Sequence, residues 1–71
     1  MLKPGMRVTF QRPRRKEVEV EVRGPDPRGF WIGFKVENGR VNRTHLRTFK
    51  LEHVTAIMTE DGPRCVFREV L

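Results

Sequence analysis

Glu17-Val18-Glu19-Val20-Glu21-Val22 alternates acidic and apolar residues without a break. A period of two puts the three valines on one side of an extended chain and the three glutamates on the other, whereas a helix would scatter both sets around its surface. The segment is therefore read as a strand with one face in a core and one in water. Two neighbouring stretches carry the same signature. Met6, Val8 and Phe10 alternate with Arg7, Thr9 and Gln11, and Phe30, Ile32, Phe34 and Val36 alternate with Trp31, Gly33 and Lys35. The pattern predicts one core built from the valines and the Phe30–Val36 set, leaving Trp31, Gly33 and Lys35 on the opposite face. In an antiparallel pair with the first strand the glutamates fall near Arg7 and the loop cations, where opposite charges contribute about 0.2–1 kcal/mol each.

Turn signals divide the rest of the chain. Arg12-Pro13-Arg14-Arg15-Lys16 reads as a loop, and Gly24-Pro25-Asp26-Pro27-Arg28-Gly29 as a second, because proline donates nothing to a ladder. Asn38-Gly39 predicts a type I′ hairpin turn, which needs positive φ at both central residues. The returning strand spans residues 41 to 50, with a slip in apolar spacing between Leu46 and Phe49 of the kind a β-bulge produces. Leu51 to Val54 is expected as one helical turn or a bend, residues 55–60 as a strand, Asp61-Gly62-Pro63 as a turn, and residues 64–70 as a last strand. Short strands, tight turns and no useful 3.6-residue period predict an all-β, Sm/SH3-like barrel of five to six antiparallel strands, with residues 1–71 as a single domain.

A chain of 71 residues builds a thin core, near the lower limit for folding without staples. The lone Cys65 forms no intrachain disulfide, no apolar run approaches the roughly 20 residues of a membrane span, and the N-terminal residues lack a secretory apolar region. The expected location is the cytoplasm, with no membrane association. Net charge is +6 and unevenly spread. Residues 1–16 carry Lys3, Arg7, Arg12, Arg14, Arg15 and Lys16 with no acid, and residues 38–53 carry Arg40, Arg43, Arg47 and Lys50 against Glu52 alone. Two basic blocks of this kind attract polyanions; they also serve solubility and surface ion pairing.

The residues that could carry catalysis are sparse. The chain has no serine, and Cys65 lies in a strand pattern where a small buried hydrophobe is the usual role. His45 and His53 are not accompanied by carboxylates or thiols at metal-ligand spacing, Asp26 and Asp61 belong to turns, and no glycine-rich loop precedes a helix. The expectation is a protein that is not an enzyme and uses no cofactor or metal. What remains is a basic, aromatic-containing set. An exposed Trp31 beside Lys35 is the arrangement on which single-stranded nucleic acids stack, at about 1–3 kcal/mol per base, while arginines follow phosphate. The competing role for Trp31 is apolar area, covering a barrel end or an oligomer contact.

A strand beginning Phe30-Trp31-Ile32, a basic hairpin, then Arg47-Thr48-Phe49-Lys50-Leu51-Glu52-His53-Val54 resembles the signature of WYL domains. These are small Sm/SH3-like barrels of bacterial regulators, with a Trp-Tyr-Leu strand and a segment close to R-x-F-R-L-D-R-I. Phe30-Trp31-Ile32 stand at the Trp-Tyr-Leu positions; Arg47, Phe49 and Leu51 match the second motif, and His53 replaces an arginine. In that family these aromatics and arginines are associated with a pocket for nucleic acid or nucleotide-like effectors. The resemblance implies roles for Trp31, Arg47, Lys50 and His53. An imidazole is a weaker phosphate partner than a guanidinium, which is always charged and forks onto oxygen pairs.

Together these readings predict an accessory or regulatory module, acting in transcription regulation if the WYL likeness holds. Its partner would be nucleic acid, single-stranded in preference, or a nucleotide-like anion. The expected binding face comprises Trp31, Lys35, Arg40, Arg43, Arg47, Lys50 and His53, with a secondary basic patch of Arg12, Arg14, Arg15 and Lys16. The alternative is a protein-interaction module that meets an acidic or regulatory partner, or forms an Sm-like homo-oligomer.

Overall fold

The computed structural model of the chain describes residues 2–59 and 62–65. They form one sheet of six antiparallel strands: β1 (Arg7–Phe10), β2 (Val18–Pro25), β3 (Trp31–Glu37), β4 (Arg40–Phe49), β5 (Val54–Thr59) and β6 (Gly62–Cys65). The spatial order is β4-β3-β2-β1-β5-β6, and the only helical element among the described residues is a 3₁₀ turn at Leu51–His53, where one helical turn or a bend was expected. The fold is all-β, as the alternation requires. The sheet is open among the described residues: β4 pairs only with β3, and β6 only with β5. The last predicted strand, 64–70, lies mostly outside the described residues. No described helix is long and apolar enough to cross a membrane.

Strand β2 behaves as its alternation demands. Val20 and Val22 are fully buried, Val18 packs against the core, and no charged side chain is buried among the described residues. Arg7 is the ladder partner of Glu21, on the outer face. The core gathers Leu2, Val8, Phe10, Val20, Val22, Phe49 and Val54. Leu2 is brought there by irregular pairing of the N-terminal segment with β2, in which the Gly5 amide donates to the Val22 carbonyl and the Val22 amide to that of Met6. Bulges curve the sheet around this cluster, at Thr55 in β5 opposite Thr9 and Phe10, at Arg23 in β2 and over Arg43–His45 in β4.

Strand β3 shows the opposite polarity from that expected. Val20 stands opposite Lys35 and Val22 opposite Gly33, so Gly33, Lys35 and Trp31 share the core side of the sheet. Trp31 is half-buried and packed against the core cluster; it does not project from the outer face. Ile32 and Phe34 lie on the outer side, where Phe34 pairs with Glu21 and Leu46. Val36 is buried outside the main cluster. The hairpin turn forms as predicted, with φ of 50° at Asn38 and 79° at Gly39. The predicted slip between Leu46 and Phe49 is displaced. Residues 46–49 pair in regular register with β3, and the irregularity falls between Asn42 and Leu46, where Asn42 Oδ1 accepts from the Thr44 amide (3.0 Å) and hydroxyl (2.6 Å). The asparagine side chain thus gives the amide of Thr44, one of the three extra residues, an acceptor in place of a ladder partner.

Candidate functional site

One end of the sheet collects side chains from three separate segments. Strand β1 runs into Arg12, whose guanidinium lies 5.6 Å from the Phe10 ring centroid and donates to the Thr48 carbonyl. Phe10 stacks on Phe49 of β4, with centroids 5.0 Å apart and planes 11° from parallel. The 3₁₀ turn then carries the chain from Lys50 to His53, closed by the His53 amide donating to the Lys50 carbonyl at 2.9 Å. The Gln11 amide donates to the His53 carbonyl, also at 2.9 Å, so the turn is fastened to the end of β1.

Between these segments lies a depression of about 310 Å³ lined by Arg12, Phe30, Thr48, Phe49, Lys50 and His53. Of its two phenyl rings, Phe30 is half-buried and Phe49 is buried, and the two formal charges among the described lining residues are both positive. Among the described residues no carboxylate lines it. In such a setting an anion meets attraction, and a planar group finds the Phe30 ring to lie against. His53 adds one unbalanced feature. Its Nδ1 is buried with no hydrogen-bond partner among the described residues, an uncommon state for a buried polar atom.

The structure brings together three of the expected residues, Arg12, Lys50 and His53, and separates them from the others. Arg40 and Arg43 belong to a shallow depression at the β3–β4 hairpin, shared with Glu37 and Asn38. Arg43 is engaged already: its Nη2 lies 3.4 Å from Glu21 Oε1 and its guanidinium 5.2 Å from the Phe34 centroid. Lys35 lies 3.9 Å from Glu37, which also faces His45 at 3.7 Å. Arg47 is half-buried opposite Gly33, and Trp31 is opposite Phe49, so Trp31 adjoins the depression through that ring without lining it. Arg14, Arg15 and Lys16 are exposed in the β1–β2 loop, where the Arg15 amide donates to the Arg12 carbonyl and shapes the turn behind Arg12.

Sequence reasoning missed Phe30, Phe49 and Thr48 as lining residues and treated Arg12 as peripheral. The usable signal was parity, since Arg12 follows Phe10 by two and continues its face. Among the described residues no three of His, Cys, Asp and Glu converge as a metal-binding group. Compared with protein families, curated proteins and solved structures, the chain matches none.

Proposed function

We propose that this chain is a non-catalytic binding module that takes nucleic acid, single-stranded in preference, or a nucleotide-like anion into the depression between β1, β4 and the 3₁₀ turn. The observation that carries this reading is the convergence of Arg12 and Lys50 beside the Phe30 ring, with no acid among the described lining residues. Arg12 and Lys50 would hold phosphate, with Arg12 kept in place by its contact with the Thr48 carbonyl, while the half-buried Phe30 ring offers a surface to a base and the buried Phe10–Phe49 stack supports the site from within. Lys50 and His53 are two of the positions that the WYL resemblance implicates, which favours an accessory or sensing role in regulation. Trp31 enters as the neighbour that backs Phe49 and not as the stacking surface itself.

The strand order and the 3₁₀ turn between β4 and β5 support placing the fold with small Sm/SH3-like barrels. In such a barrel the depression would lie at one mouth, where ligand sites in β-barrels concentrate.

Amide chemical-shift mapping tests the site. Titrating a short single-stranded oligonucleotide into labelled protein should perturb Gln11, Arg12 and Thr48 to His53 first. Perturbations confined to the Asn38–Arg43 hairpin, or none at low salt, would overturn the assignment.

A further inference from the structure

The outer face of β2, β3 and β4 is unlike the depression. Ile32 and Phe34 face outward side by side on β3, and Leu46, opposite Phe34, is 48% exposed. The guanidinium of Arg43 lies over the Phe34 ring at 5.2 Å, from a side chain that is itself 65% exposed. This apolar strip is bordered along β2 by Glu19 and Glu21, which would repel a polyanion; a protein surface is the better fit.

The same border carries the opposite sign two residues on. At the β2 bulge, Arg23 and Gly24 together oppose Ile32, so Arg23 stands on the outer side beside Ile32 as Glu21 stands beside Phe34. A two-fold axis crossing the strands between the Phe34 and Ile32 rows would lay Phe34 of one copy on Ile32 of the other. It would also set each Glu21 against the other copy's Arg23. The surface is therefore complementary to itself in charge as well as in apolar content, the condition for an isologous contact. Pairing along the β4 edge is the poorer route to assembly, because Arg43–His45 bulge out of that strand and interrupt the row of groups that a new strand would need.

We propose that a second copy of this chain docks face to face on Ile32, Phe34 and Leu46, with Glu21 and Arg23 pairing across the two-fold axis. The occupant is distinct from the anion of the depression, and the proposal stands or falls without it.

Sedimentation equilibrium over a wide concentration range tests this, with circular dichroism melting as the folding control. The wild-type chain should show a monomer–dimer equilibrium, and Leu46→Asp should weaken it by about tenfold or more. Glu21→Arg and Arg23→Glu should each weaken self-association, since each places like charges across the axis. An equimolar mixture of those two variants should dimerise again, because arginines of one copy then meet glutamates of the other. A wild-type chain that stays monomeric to millimolar concentration would overturn the proposal. So would two folded charge variants that fail to associate on mixing, the result expected if Glu21 serves only its own Arg43.

Discussion

Gly33 lies so close over Val20 that a Cβ built on it would meet Val20 Cβ at 2.8 Å, Val20 Cγ2 at 2.9 Å and the Glu21 carbonyl at 3.0 Å. Two of these atoms are fixed to the β2 backbone, so a side chain here cannot be accommodated by a rotamer change alone. Gly33→Ala should destabilise the fold by about 1–3 kcal/mol, the usual cost of forcing an added carbon into a packed core. Denaturant unfolding would measure it. An unchanged midpoint would show that β3 does not approach β2 as closely as described.

That contact also explains how far the sequence could be followed. Alternation separated the two faces of β3 correctly, and the Val20/Val22 face of β2 was legible from residue types alone. Which face of β3 turns inward was not, because Phe30, Ile32 and Phe34 outweigh Trp31, Gly33 and Lys35 in apolar content. Register decides it: Val22 opposite Gly33 and Val20 opposite Lys35 put the small and the long-stemmed residues inside. A glycine there admits the valines, and a lysine stem covers apolar surface while its ammonium reaches Glu37. Neither property is visible in a hydrophobicity count. The same limit hid the depression, since Arg12, Phe30 and Lys50 are far apart in the chain and meet only through the Phe10–Phe49 stack and the 3₁₀ turn. Of the residues that the WYL resemblance implied, Lys50 and His53 line it, and Trp31 and Arg47 do not.

His53 should be worth more to binding than to stability. Replacing it with phenylalanine removes the partnerless Nδ1 and keeps a ring of similar size, so His53→Phe should hold or raise stability, by about 1 kcal/mol at most. Affinity for an oligonucleotide should fall in the same variant. A clear loss of thermal stability would mean that the imidazole is satisfied in solution, and would remove it as a marker of the site.

The β2–β3 turn gives a defined acid response. Asp26 accepts from the Arg28 guanidinium and from the Arg28 amide, and these bonds hold its carboxyl below the ordinary value of 3.8. A carboxylate with a depressed folded-state pKa adds stability above its unfolded value, and that contribution is lost as pH falls through the folded one. A carbon-detected titration should place the Asp26 midpoint below 3.8, and Arg28→Ala should move it partway back, since the bond from the residue-28 amide survives. Because the pair is exposed, the effect on melting should be small and confined to acid pH. A midpoint at or above 3.8 in the wild type would contradict the turn geometry.

The most direct test of the binding site uses the lone tryptophan and the absence of tyrosine. Trp31 sits opposite Phe49, one wall of the depression, so its emission should change as a short single-stranded oligonucleotide or a mononucleotide is titrated in. With two phosphate-holding cations, affinity for a single strand should fall with a log–log salt slope of about −1.4, and Arg12→Ala or Lys50→Ala should each reduce that slope by about 0.7. Arg40→Ala, at the far end of β4, should leave the slope near its wild-type value. An emission that changes with the predicted slope, the slope being roughly halved only in the Arg12 and Lys50 variants, is the expected result. A folded wild-type protein whose emission and oligonucleotide anisotropy both stay unchanged at low salt would contradict the account.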